Sequence, residues 1–143
     1  MHEIPDRLQE IVDDFSFCVG QEKLEYLLEF AEKLPPLPEW LHDQRETMDQ
    51  VHECMTPVFV FVEREDESGN LHFHFDIPPE APTVSGFAAI LQQGLDNTTP
   101  EIVLGIPDMF YRDMGLQTVL SGQRLNGMTA MLAHMKRLVA GSH

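Results

Sequence analysis

A chain of 143 residues with 43% hydrophobic and 23% charged side chains is long enough for one packed core and too apolar to stay disordered. Its net charge of −15 repels phosphate backbones, which argues against a nucleic-acid partner. No apolar run reaches the length of a membrane span, and Met1-His2-Glu3-Ile4-Pro5 lacks the basic-then-apolar pattern of a secretory signal.

Ile4, Leu8, Ile11, Val12 and Phe15 follow helical spacing, with Pro5 suited to a first turn. Gly20 punctuates, and Leu24, Leu27, Leu28, Ala31 and Leu34 mark a second amphipathic helix whose other face carries Gln21, Glu22, Glu25, Glu29 and Glu32. Pro35-Pro36-Leu37-Pro38 cannot continue a helix, so an αα-hairpin followed by a stiff extended connector is expected. Trp40 to Gln50 is polar and weakly patterned. Val58-Phe59-Val60-Phe61-Val62 reads as a strand apolar on both faces, hence covered on each side. The turn Glu65-Asp66-Glu67-Ser68-Gly69-Asn70 leads to a second strand. Here Leu71, Phe73, Phe75 and Ile77 alternate with His72, His74 and Asp76, and Pro78-Pro79 closes the sheet. A short apolar helix over Phe87 to Gln93 ends at Gly94. Thr99-Pro100-Glu101 has the pattern of a helix start, with Thr99 as cap. Pro107 opens a further short helix around Met109-Phe110-Tyr111. Ser121 begins the last helix, where Met128, Met131, Leu132, Met135 and Val139 form a stripe suited to an adaptable core. Residues 140–143 read as a frayed tail. The order predicts a single α+β domain over residues 1–143, with a small antiparallel sheet of two to three strands between an N-terminal helical hairpin and a C-terminal group of helices.

Of the two cysteines, Cys54 sits in the polar stretch Val51-His52-Glu53-Cys54-Met55-Thr56-Pro57, immediately before the stronger strand. A thiol in a polar loop held by a rigid strand is placed for chemistry, although a small hydrophobe packing at the strand's start fits the same context. Cys18, near the end of the first helix, reads as structural. Two cysteines build no disulfide framework, so a reducing compartment such as the cytoplasm is expected. A metal alternative draws on His72 and His74, which share a strand face, with Cys54 and His52 completing a cysteine–histidine set. Iron–sulfur clusters usually take four ligands, mostly Cys, so a stable cluster on one chain is not expected. Residues 1–80 hold 20 of the 24 acids and 5 of the 9 bases, so this half carries the whole negative excess. Such a field steers a basic protein surface, and it also fits general solubility or a binding module without thiol chemistry.

Several segments, taken in order, resemble the SufE family of sulfur-acceptor proteins. They are Leu8-Gln9-Glu10-Ile11-Val12-Asp13-Asp14-Phe15, Lys23-Leu24-Glu25-Tyr26-Leu27-Leu28, Lys33-Leu34-Pro35-Pro36-Leu37-Pro38 and Val51-His52-Glu53-Cys54. The last is Leu116-Gln117-Thr118-Val119-Leu120-Ser121-Gly122-Gln123-Arg124-Leu125-Asn126-Gly127-Met128. Glu53 stands where the family usually has Gly, adding bulk and charge beside the thiol, and Thr56 replaces a Ser.

The resemblance implies a chain that is not itself a desulfurase and holds no cofactor of its own. A partner cysteine desulfurase, carrying pyridoxal phosphate, would form a persulfide. Cys54 would then take the outer sulfur, stimulate the desulfurase and pass sulfur on to an iron–sulfur scaffold. A monomer or weak homodimer, with neither nucleic-acid nor membrane partner, goes with that role. Asp49 and Glu53 would raise the Cys54 pKa, so a compensating cation is needed. Arg124 is the first candidate and His52 the second. Thr56 is a candidate hydrogen-bond donor to the sulfur. Glu53, Glu80 and Asp49 are candidates for the docking surface.

Overall fold

A computed structural model describes residues 4–141. Helix α1 (Asp6–Phe17) starts after Pro5 with Asp6 in its first turn, where an acid suits the helix dipole. Its stripe of Leu8, Val12 and Phe15 is buried. Helix α2 (Gln21–Lys33) buries Lys23, Leu27 and Phe30, so of the expected stripe Leu27 is fully buried while Leu24, Leu28, Ala31 and Leu34 are half-buried, and the inward side is rotated toward Phe30. The large rings set that rotation: Phe30 stacks on Phe15 at 6.0 Å, and Tyr26 meets both. The buried Lys23 ammonium donates to the carbonyls of Phe15 and Met114, tying the end of α1 to a later helix.

The Pro35–Pro38 connector leads into a one-turn helix α3 (Glu39–His42) and a 3-10 turn at Arg45–Thr47, in a stretch whose sequence carries little pattern. Three strands then form an antiparallel sheet in the order β1-β2-β3: β1 (Asp49–Gln50), β2 (Phe59–Arg64) and β3 (Leu71–Asp76). Asp49 faces Val60, and Phe59 faces Asp76 at the start of a register that ends at Arg64 and Leu71. The expected alternation holds in β3, where Leu71, Phe73 and Phe75 are buried. The other face of the sheet is covered only in part. Trp40, itself 47% exposed, meets Phe61 and His74 edge-on there.

Helix α4 (Pro82–Leu95) is the hub of the core and is buried on nearly every side. It starts five residues earlier than expected, because Pro82 occupies its first turn. It also runs through Gly94. Close approach explains its small residues: a Cβ at Gly86 would lie 2.3 Å from the Leu27 carbonyl oxygen, so only glycine lets α4 meet α2 this closely. Short helices α5 (Pro100–Leu104) and α6 (Tyr111–Met114) follow, Thr99 preceding α5 without a side-chain cap. Helix α7 (Gly122–Gly141) returns across the sheet and buries Met128, Met131, Leu132, Met135 and Val139, the expected stripe. Its N-terminus is capped by Ser121, whose hydroxyl accepts from the Arg124 amide at 3.3 Å. Residues 140 and 141, read as tail, are still helical, while residues 142–143 lie outside the described part. The α+β class and the small antiparallel sheet are therefore as the sequence predicts.

Candidate functional site

The polar stretch around Cys54 is the loop of the β1–β2 hairpin. Val51 donates its amide to the Val58 carbonyl at 2.8 Å, which extends the ladder by one rung and leaves residues 52–57 as the turn. The Cys54 amide returns to the Val51 carbonyl at 3.3 Å. These two bonds tighten the loop, so Cys54 sits at its tip and is not merely a residue leading into β2. Met55 beside it is 81% exposed.

The thiol points inward, onto the second turn of α7. Cys54 Sγ donates to the Gly127 carbonyl at 3.8 Å, and a Cβ at position 127 would lie only 3.1 Å from that sulfur. The cysteine thus rests half-buried in a seat that a glycine leaves open. Beyond the sulfur lies a groove of about 350 Å³. The cysteine loop contributes Cys54, Met55 and Thr56, the start of α4 contributes Glu80, Ala81 and Val84, and the start of α7 contributes Ser121, Gln123 and Arg124. Three segments far apart in sequence therefore meet at one thiol.

Burial raises the Cys54 pKa, and the neighbouring Glu53 carboxylate raises it further. The resting group is a protonated thiol at neutral pH. Arg124 lines the same groove, with its guanidinium donating to Thr83 Oγ1 at 2.5 Å, and burial and Glu53 are the influences on the thiol. Thr56 and Glu80 also line the groove. His52 is exposed in the turn and lies outside the groove lining.

The two acids flanking the loop are drawn to a residue that sequence reasoning passed over. His134, on α7 and only 5% exposed, faces Asp49 with Nδ1 and Glu53 with Nε2, the latter at 3.1 Å. Arg137, one turn on, reaches the same ring at 2.8 Å. Glu53 is held below the usual carboxylate range, first by a hydrogen bond from backbone and then by His134. The signal available in the sequence was a lone histidine between Met131 and Met135 in an otherwise apolar stripe. Asp49 and Glu53, considered for partner docking, are thus engaged within the chain, whereas Glu80 stays exposed on the groove.

The cysteine–histidine metal set does not assemble. His72 faces Asp96 at 2.7 Å and Glu65 at 2.5 Å, and His74 faces Glu63 at 2.8 Å. Both rings are half-buried rather than exposed, because carboxylates on neighbouring elements hold them against the sheet. Among the described residues, no three His, Cys, Asp or Glu side chains converge as a metal site. Among the same residues, no helix is long and apolar enough to cross a membrane.

Comparison with known proteins adds independent findings. Residues 9–139 match the model of the SufE family, described as an Fe-S metabolism associated domain. A SufE-like protein of Mycobacterium tuberculosis is 45% identical over 134 residues, spanning 94% of this chain and 92% of its own length. A chloroplastic/mitochondrial SufE-like protein 1 of Arabidopsis thaliana is 33% identical over 96% of this chain, which covers 36% of that longer protein. The solution structure of a hypothetical protein from Thermus thermophilus superposes with a TM-score of 0.83, at 36% identity and 96% coverage of both chains.

Proposed function

This chain belongs to the SufE family of Fe-S metabolism associated domains, and on that premise we propose that it is a sulfur acceptor using Cys54. It takes persulfide sulfur from a cysteine desulfurase, stimulates that enzyme by clearing its cysteine, and passes the sulfur on to an iron–sulfur scaffold. Pyridoxal phosphate belongs to the partner.

The observation that carries this reading is the placement of Cys54: a thiol at a hairpin tip, seated over Gly127 and open to a groove on one side. The Cys54 thiolate attacks the outer sulfur of the donor's persulfide. A sulfur–sulfur bond forms on Cys54 as the donor's own sulfur–sulfur bond breaks, and the donor leaves as a thiolate. No net oxidation occurs, since the outer sulfur moves with its proton from one cysteine to another. The thiolate must be generated on docking, because burial and Glu53 disfavour it at rest. Arg124 on the groove wall is the group we assign to the anionic sulfur, with the Thr56 hydroxyl as hydrogen-bond donor. His52, exposed on the loop, is the second group available to the sulfur in a complex. Glu80, with Glu53 and Asp49 once the partner engages the loop, belongs to the docking surface. We place the protein in the cytoplasm.

A Cys54→Ser variant tests the reading. It retains desulfurase binding and loses both sulfur uptake and stimulation. Full stimulation by this variant would instead establish an acidic binding module acting without its thiol.

A further inference from the structure

His134 does more than fill the core. Its two ring nitrogens face two points of one hairpin, Asp49 at its foot and Glu53 beside the nucleophile, with Arg137 against the same ring. The surrounding charges are few. Arg137 approaches the ring from α7 itself, and Asp49 and Glu53 approach from the hairpin. The burial is asymmetric as well. His134 has 6% of its side chain exposed, against 36% for Asp49 and 46% for Glu53, so the Glu53 end of the cluster is the one solvent and partners reach.

The turn is held by the Val51–Val58 and Cys54–Val51 backbone bonds, and Cys54 adds a long thiol–carbonyl bond to Gly127 on α7 and packs against the core. Glu53 also carries a second effect, since its charge adds to the burial that keeps Cys54 protonated.

We propose that His134, Asp49 and Glu53 form a clasp that holds the cysteine loop against α7, and that Glu53 is its releasable end. His134 is a positioning residue: it acts on the sulfur through the loop and does not touch it. While the clasp is closed, the thiol is turned onto Gly127 and the Glu53 carboxylate stays beside it. Opening the Glu53 end frees the loop and moves the negative charge away, so access and ionisation rise together. This inference rests on the reading of Cys54 as the reacting group.

Alkylation of Cys54 by iodoacetamide tests the clasp without any donor protein, so its outcome is independent of sulfur uptake. The rate against pH yields two quantities for each variant: the ionisation midpoint and the rate constant of the thiolate itself. Peptide mapping separates Cys54 from Cys18. In Glu53→Ala, which removes both the charge and the acceptor for His134, the thiolate rate constant rises about threefold or more and the midpoint falls by about half a pH unit. In His134→Leu the thiolate rate constant rises similarly, and the midpoint falls by less than in the Glu53 variant, because the Glu53 charge is moved away but not removed. A merely structural histidine would not separate these two readouts. Glu53 is half exposed, so its variant folds even if removal of the buried His134 destabilises the chain. A Glu53→Ala protein whose midpoint shifts while its thiolate rate constant stays unchanged would overturn the clasp, leaving Glu53 acting through charge alone.

Discussion

Burial and a neighbouring carboxylate both hold the Cys54 sulfur in its protonated form, and the seat that buries it exists because residue 127 has no side chain. Gly127 lies inside α7, where alanine is intrinsically the better helix former by about 1 kcal/mol. A methyl group there would nevertheless sit 3.1 Å from the sulfur, closer than the two groups can stay. In Gly127→Ala the helix therefore keeps its stability and the thiol is displaced toward the groove. The expected outcome is a melting temperature close to that of the wild type together with faster iodoacetamide labelling of Cys54. Unchanged labelling would mean that the thiol does not use this seat. The loop position of Cys54 was legible in the sequence because a polar stretch before a rigid strand is a physical signal, although that context fits packing as well as chemistry. Its surroundings were not. Glu80 and Arg124 lie 26 and 70 residues away, and only the packing of α4 and α7 brings them to the sulfur. His134 was hidden differently: a single histidine among methionines looks like core until the partners facing it are known.

At the level of elements, legibility followed length and exposed polarity. Helices α1, α2 and α7 and strand β3 carry enough residues with a clear period to be read directly, and β2 is read from its β-branched and aromatic run. Helix α3 and strand β1, of four and two residues, are shorter than any periodic window. Helix α4 has no polar face to set off an apolar one, so its extent was under-read. Strand β3 also supplies a pH-dependent link. His72 joins the strand to Asp96 at the end of α4 and to Glu65 in the hairpin turn. Those contacts raise the His72 pKa, Asp96 contributing first, and the bond to His72 lowers that of Glu65. The raised histidine contributes stability that is complete below its unfolded value and is lost as pH rises through the folded one. The lowered glutamate contributes stability that is lost as pH falls. Both are in force between about pH 5 and pH 6, the window set by ordinary glutamate and histidine values. His72→Gln is therefore expected to lower the melting temperature more at about pH 5.5 than at about pH 8. Equal losses at both pH values would show that the ring serves packing only.

Across the whole molecule, the dominant feature is where the charge lies. Residues 1–80 carry the entire excess behind the net charge of −15, and the acids of α1 and α2 are exposed. A field of this kind speeds encounter with a basic surface and is screened over about 10 Å at 0.1 M salt. Raising salt from about 50 mM to about 500 mM should therefore raise the KM of a desulfurase for this acceptor several-fold while leaving kcat nearly unchanged. A KM indifferent to salt would assign the charge to solubility alone. The proposed function turns on one atom, the sulfur of Cys54, and mass spectrometry after incubation with a cysteine desulfurase and cysteine tests it. Peptide mapping should find one added sulfur on the peptide containing Cys54 and none on that containing Cys18. An active desulfurase that leaves Cys54 unmodified, or sulfur carried on Cys18 instead, would contradict it.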